Sequence, residues 1–347
     1  MARNGNGSPP YLIWLGEHDV DRAIAGGKGA SLARLLSLDA PVPEACVLTT
    51  AAWEAFSTST GLQSPSAKDD PARIRALVAN APMPPPLVDA ISHIYQRFEM
   101  LPGAHVSLAV RSSGTMEDSG SLSFAGLHDT ILGVRSHAGL EIAIRQCWAS
   151  LWSDRAVDYR RAARLVDEEP SIAVVIQQVV RPDVSFVLFT VDPVTGNPDH
   201  TVITATWGLG ESVVSGRVTP DHIVVDRDGR IVRYVVGAKE FMTLEDPPPE
   251  EGTRQVPVPR VMQGLRALTD DQAARIASIG QSLAEKLGFP ADIEGGIADG
   301  QVWLFQARPI TTLQDDNEVA RSRLVVSSIP SIRHEDHSQR KQERTAP

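Results

Sequence analysis

The stretch that most limits how this chain can fold is GFPADIEGGIADGQVWLFQARPI, Gly288 to Ile310. Two apolar limbs, 291–297 and 301–310, flank Ala298-Asp299-Gly300, and Asp-Gly between apolar runs signals a β-hairpin. Side chains alternate along a strand, so Asp292 and Glu294 share a face of one limb, and Gln306 and Arg308 share a face of the other. A three-residue loop, with glycine in the left-handed position, pairs Glu294 with Leu304 and Asp292 with Gln306. The even-numbered residues of both limbs then line one face. A two-residue turn breaks that parity, so the three-residue loop is the expectation. The odd face, with Ile293, Ile297, Trp303 and Phe305, reads as core.

The even face carries two carboxylates, an amide and a guanidinium. Carboxylate and amide oxygens suit Mg²⁺, which takes one or two carboxylates and completes its shell with substrate phosphates. An arginine fork suits a phosphate. Spacing by itself favours a plainer outcome, a solvated hairpin with an ion pair on its polar face, because short motif matches carry many false positives.

Composition narrows the class. A length of 347 residues implies about two domains or one large one. Hydrophobic content of 42% and charged content of 22% are ordinary for a soluble globular protein. A formal net charge of −10 argues against nucleic-acid binding through a basic face, though it leaves room for a local basic pocket. Cys46 and Cys147 form no spacing motif, so neither a disulfide framework nor a zinc site is expected. No apolar run is long enough to span a bilayer, and MARNGNGSPP lacks a signal-peptide core. A cytoplasmic enzyme or enzyme subunit, binding neither nucleic acid nor membrane, is the expectation.

Along the chain, residues 1–10 read as a disordered lead and 314–347 as a disordered tail. Gly26-Gly27-Lys28-Gly29 opens an apolar-periodic run to Leu38. A glycine-rich turn at a helix start offers N–H groups to an anion, with Lys28 adding charge; a plain helix entry accounts for it as well. The strand at 106–111 leads into Arg111-Ser112-Ser113-Gly114-Thr115, whose hydroxyls and basic anchor can hold a polyphosphate. Small residues continue through Phe124-Ala125-Gly126, reading as a flap over a ligand or as a flexible surface loop. Leu140 to Leu165 is a long helix candidate, with Trp148, Leu151 and Trp152 as packing. Ile172 to Val180 is a buried strand carrying Gln177-Gln178. A second glycine-rich segment, WGLGESVVSG, has Glu211 as its one acid. Glu245 to Pro259 is acidic, Pro-rich and reads as loop. Thr269-Asp270-Asp271-Gln272 caps a helix running to Leu287.

In order, GGKGASL, AVRSSGTMEDSGSLSFAG, CWASLWSDRAVDYR, FTVDPVTGN, WGLGESVVSG, DIE and LFQARPIT resemble the N-terminal nucleotide-binding domain of phosphoenolpyruvate synthase, pyruvate phosphate dikinase and rifampin phosphotransferase. The resemblance spans about residues 11–312. It implies an α+β fold of ATP-grasp type, with subdomains 11–178 and 179–313 holding ATP between them. It also assigns roles. Lys28 and Arg111 hold the phosphates, with Ser112 and Thr115 in the same loop. Glu294 and Gln306 ligate metal and nucleotide, Asp292 joins them as a metal or supporting group, and Arg308 stabilises the transferring phosphoryl. Gln177 lies at the adenine and Glu211 near the ribose.

The departures are specific. In the full-length family a histidine on a swivelling domain accepts the phosphoryl, and no segment here resembles its TxHAA-type motif; His137 in SHAGL and His128 are superficially alike. Gly295-Gly296 stands where a bulky residue often follows the glutamate, Leu127 where a Gln often follows FAG, and Phe186 where a Gly is common. The expectation is therefore an ATP- and Mg²⁺-binding subunit of a split phosphotransferase. It phosphorylates a histidine on a partner subunit and yields AMP and phosphate. Phenylphosphate synthase-like split enzymes extend the analogy to phenol or cresol acceptors. A direct small-molecule kinase giving ADP, or a non-catalytic nucleotide sensor, are the alternatives. Conjoint presence of Lys28, Arg111, Glu294, Gln306 and Arg308 weighs against the sensor.

Overall fold

A computed structural model describes residues 10–18, 20–62, 70–101, 106–116, 130–162, 171–214 and 216–310. The chain divides into two units, Met1–Ile310 and Thr311–Pro347, and every described residue belongs to the first. Most of the expected lead, the expected flap running to Phe124-Ala125-Gly126 with Leu127 and His128 after it, and the expected tail at 314–347 lie outside the described residues.

The elements run β1 (Leu12–Trp14), α1 (Arg22–Ser37), β2 (Ala45–Leu48), α2 (Thr50–Ser59), α3 (Pro71–Asn80), α4 (Pro85–Glu99), β3 (Leu108–Gly114), β4 (Thr130–Val134), α5 (His137–Ala149), α6 (Asp154–Ala162) and β5 (Ile172–Gln178). They continue with β6 (Val184–Phe189), β7 (His200–Trp207), α7 (Glu211–Val214), β8 (Asp221–Asp226), β9 (Ile231–Val235), β10 (Phe241–Glu245), β11 (Thr253–Pro257), α8 (Arg260–Gln263), α9 (Asp270–Leu287), β12 (Ala291–Ala298) and β13 (Gln301–Pro309). Two antiparallel sheets result, ordered β1-β2-β5-β3-β4 and β13-β12-β6-β7-β8-β9, and a two-stranded ribbon β10-β11 stands beside them. Antiparallel sheets with packed helices make this an α+β fold.

The first sheet is buried on both faces, which explains the nearly continuous apolar run of β5. Val47, Ala173 and Val175 face Leu32 and Leu35 of α1, in a core that continues to the second sheet and α9. Cys46, Leu48, Val174 and Ile176 face the helices of the other side. There Phe56 and Trp148 lie 4.7 Å apart between ring centroids, and Trp53 and Trp152 5.5 Å. Burial pushes the Cys46 thiol well above its usual pKa, so it behaves as a small apolar core residue.

Two expectations are corrected. The long helix over 140–165 is broken: α5 ends at Ala149, a single 3₁₀ turn covers Ser150–Trp152, and Ser153 is extended (φ −61°, ψ 149°). The turn keeps Leu151 and Trp152 buried, and Ser153 Oγ accepts from Ala156 N at 3.3 Å, starting a new helix. The segment 245–259 is not all loop, because Thr253–Pro257 pairs with Phe241–Glu245. Its prolines and acids cluster in the ribbon turn, which docks on the first sheet. Gly252 N donates to Gly133 O at 3.1 Å and Arg135 N to Glu251 Oε1 at 3.0 Å. Behind them, the buried Glu245 carboxylate meets Ser107, Arg135 and Arg181. The capping box at Thr269 and Gln272 is present, and α9 ends at Leu287.

GGKG does open the longer part of α1, although a short helical piece precedes it. The piece from Arg22, capped by Asp21, ends at the non-helical Gly26 (φ 68°, ψ −179°), and the piece running to Ser37 starts after it. A Cβ at Gly26 would stand 2.0 Å from Ser113 O. Ser113 Oγ donates to Ala25 O at 2.7 Å and accepts from Gly29 N at 3.1 Å, clamping α1 against β3. Gly26→Ala therefore meets both an unfavourable φ and a backbone clash. It should lower folding stability by more than about 1 kcal/mol in denaturant titration; an unchanged midpoint would contradict this packing.

Candidate functional site

The hairpin reaches the expected face by a different route. Ala298 pairs with Gln301, so the turn is the two residues Asp299-Gly300, both left-handed at φ 49° and 73°. Near the turn even residues face odd ones, Gly295 with Leu304 and Ile297 with Val302. The register then shifts between Glu294 and Gly295, with Phe305 as the extra residue of a β-bulge. Beyond it Glu294 faces Gln306, and Asp292 faces Arg308 rather than Gln306. The bulge restores the parity that the short turn removes. It also reassigns the core: Val302, Leu304 and Ala307 pack inside with Ile293 and Ile297, whereas Trp303 and Phe305 are only half-buried.

A cleft of about 770 Å³ opens against this hairpin, a volume suited to a small-molecule ligand. Lys28, Arg111, Gln177, Glu211, Glu294, Gln306 and Arg308 all line it. These seven come from α1, β3, β5, α7, β12 and β13. Ser112, Thr115 and Asp292 do not line it. The Ser112 carbonyl accepts from Lys28 Nζ at 3.0 Å, and Thr115 Oγ1 donates to Ser171 O at 3.2 Å. Asp292 Oδ2 accepts from Arg308 Nε at 2.8 Å, so the arginine is held in place from the side of the cleft.

Arg111 spans the gap between the two sheets. One terminal nitrogen donates to Phe305 O at 3.0 Å, and the other donates to Gln306 Oε1 at 2.8 Å and lies 3.5 Å from Glu294 Oε2. Glu211 Oε2 accepts from Thr253 Oγ1 at 3.0 Å, tying the ribbon to the cleft wall. Gln177 is 3% exposed, and its amide nitrogen has no hydrogen-bond partner among the described residues. A buried donor without a partner is costly, and its place in the cleft wall makes a ligand its natural acceptor.

Phe305, Val179, Val180 and Pro182 also line the cleft. Phe305, expected in the core, lines the cleft instead because its parity follows from the bulge. The other three follow Gln177 on the segment joining the two sheets. His137 is not in the cleft; its Nε2 is 2.9 Å from Ser92 Oγ, at the start of α5. The unusual Phe186 and Gly295 explain each other. They are cross-strand partners, and a Cβ at Gly295 would lie 2.5 Å from Phe186 Cζ. The bulky group is supplied by β6 instead of β12. Among the described residues no group of three or more His, Cys, Asp or Glu side chains is placed to hold a metal ion by itself. The oxygens of Glu294 and Gln306, which line the cleft, fit a cation that takes few protein ligands and shares the rest with phosphates, as Mg²⁺ does; Asp292 stands behind them, on Arg308.

Residues 22–325 match the pyruvate phosphate dikinase AMP/ATP-binding domain. The chain belongs to this family. It is 36% identical over 335 residues to a probable phosphoenolpyruvate synthase of Methanothermobacter thermautotrophicus, covering 91% of this chain and 48% of that one. It is 39% identical to the rifampicin phosphotransferase of Streptomyces sviceus (87% and 36% covered) and 37% identical to the prodigiosin synthesizing transferase PigC of Serratia marcescens (88% and 34% covered). The chain thus spans less than half the length of these relatives. The pyruvate phosphate dikinase AMP/ATP-binding domain is the ATP-binding part of phosphoenolpyruvate synthase-like phosphotransferases. No helix among the described residues is long and apolar enough to cross a membrane.

Gln177→Leu removes the unpartnered donor without emptying the site. The ligand-free protein should melt at the same temperature or slightly higher, while ATP affinity falls about tenfold or more by calorimetry. Unchanged ATP affinity would remove Gln177 from the site.

Proposed function

We propose that this chain is the Mg²⁺·ATP-binding subunit of a phosphoenolpyruvate synthase-like phosphotransferase, passing a phosphoryl group to a histidine on a partner subunit. The observation that carries this reading is the convergence of Lys28, Arg111, Arg308, Glu294, Gln306 and Gln177 on one cleft. In this reading the fold is of ATP-grasp type. Subdomain 11–178 brings Lys28 and Arg111, and subdomain 179–313 brings Glu211, Glu294, Gln306 and Arg308. Phosphoryl transfer needs little covalent help from a protein. It needs positioning and cations aimed at the phosphate oxygens.

Each group has a task in that scheme. Gln177 and the backbone after it hold the adenine, and Glu211 lies by the ribose. Lys28 and Arg111 neutralise the phosphates, while Arg308, oriented by Asp292, meets the charge developing on the transferring group. Glu294 and Gln306 would hold Mg²⁺, with Asp292 as the supporting group behind them, and the ion would supply neutralisation of phosphate charge when bound. In the structure Arg111 occupies the Gln306 oxygen and lies close to Glu294. Nucleotide binding in this scheme exchanges those contacts for phosphate and metal. Ser112 and Thr115 act by shaping the Arg111 loop.

No histidine of the described residues lines the cleft, which favours an acceptor brought from outside it. The onward acceptor in this reading is an aromatic alcohol, a phenol or cresol, bound by the partner. The test is product analysis with Mg²⁺ and ATP, with and without the candidate partner. The β-phosphoryl ends on the histidine and the γ-phosphate is released to water, so AMP and inorganic phosphate together with acid-labile phosphate on a partner histidine are the expected result. ADP formed by this chain and a small molecule alone would overturn the split dikinase reading. Arg308→Ala and Glu294→Ala should each abolish transfer while the melting curve stays cooperative; normal turnover in either would sink the site assignment.

A further inference from the structure

The cleft has a fourth cation that no role above uses. Arg155, the second residue of α6, lines it together with the hairpin residues. The other three cations are already held by protein oxygens: Lys28 by Ser112 O, Arg111 by Phe305 O and Gln306, and Arg308 by Asp292. Arg155 is exposed and has no hydrogen-bond or ion-pair partner among the described residues. Its neighbours on α6 are engaged. Asp154 pairs with Arg75 at 3.5 Å, Asp158 with Arg161 at 3.4 Å, and Arg160 donates to Leu151 O at 2.6 Å. The acids of α6 are thus drawn to other cations, and Arg155, without such a contact among the described residues, is presented to the cleft.

We propose that Arg155 is a further ligand of the polyphosphate tail, closing on it from α6 while Lys28, Arg111 and Arg308 hold it from the two sheets. This rests on the nucleotide reading above and adds a residue to it. A guanidinium is suited to this task because it forks onto two oxygens of one phosphate and remains charged at any working pH. Its position at the rim costs little without ligand, since water solvates the charge, and its exposure makes its contribution sensitive to salt. The break after Trp152 gives the placement its cause. A continuous α5 would carry residue 155 onward along the old axis, whereas the extended Ser153 starts α6 in a new direction.

The test compares ATP with adenosine, both in the presence of Mg²⁺, on the unaltered protein, on Arg155→Ala and on Arg155→Lys. The expected result is an about tenfold loss of ATP affinity in the alanine variant, the strength of one charge-assisted hydrogen bond. Adenosine affinity and melting temperature stay the same, and the lysine variant recovers part of the loss. Unchanged ATP affinity in Arg155→Ala overturns the proposal. So does an equal loss for adenosine and ATP, because that reports altered cleft shape and not a lost phosphate contact. If the unaltered protein binds no ATP, the nucleotide reading fails first and this inference falls with it.

Discussion

The bond on which the site depends is that of Arg111 to the bulge of β13. A guanidinium only 9% exposed has to be paired, because an uncompensated buried charge is among the most costly defects a fold can carry. Its partners are Phe305 O, Gln306 Oε1 and Glu294, all on the far side of the cleft. The bulge makes this possible in two ways. It takes the Phe305 carbonyl out of the regular ladder, and it turns Glu294, Gln306, Asp292 and Arg308 to one face. Without it, a two-residue turn would have sent half of these groups into the core.

Other contacts hold the same cleft from its edges. Ser31 Oγ donates to Ala307 O, and Leu304 N donates to Pro41 O at 2.8 Å, joining α1 and the segment after it to β13. On the opposite side the β10-β11 ribbon reaches β4 and places Glu245 where Ser107, Arg135 and Arg181 converge. Arg181 belongs to the short segment between β5 and β6, whose Val179, Val180 and Pro182 line the cleft. Polar contacts thus tie the walls of the cleft together at both of its ends.

Much of this was legible locally. The capping box at Thr269, the double-sided burial of β5 and the two limbs of the hairpin follow from residue type and period. The shared face of Asp292, Glu294, Gln306 and Arg308 was also readable, but for the wrong reason. The sequence offered a three-residue loop, and the chain used a two-residue turn plus a bulge, because an aspartate and a glycine both tolerate the left-handed region. Nothing near Phe305 in sequence announces the bulge; its reason is Arg111, 194 residues away. The strand at Thr253–Pro257 was hidden by the prolines before it, and the break at Ser153 by an unbroken helical period. The six elements around the cleft share no sequence spacing, so their convergence came from family resemblance and not from pattern.

The claim that these elements form one nucleotide site is tested most directly by a crystal structure of the protein with Mg²⁺ and a non-hydrolysable ATP analogue. The account predicts the base against Gln177 and Val179–Val180, the phosphates among Lys28, Arg111 and Arg308, and the metal at Glu294 and Gln306. A nucleotide bound elsewhere, or one in the cleft with its phosphates turned away from these cations, would contradict it.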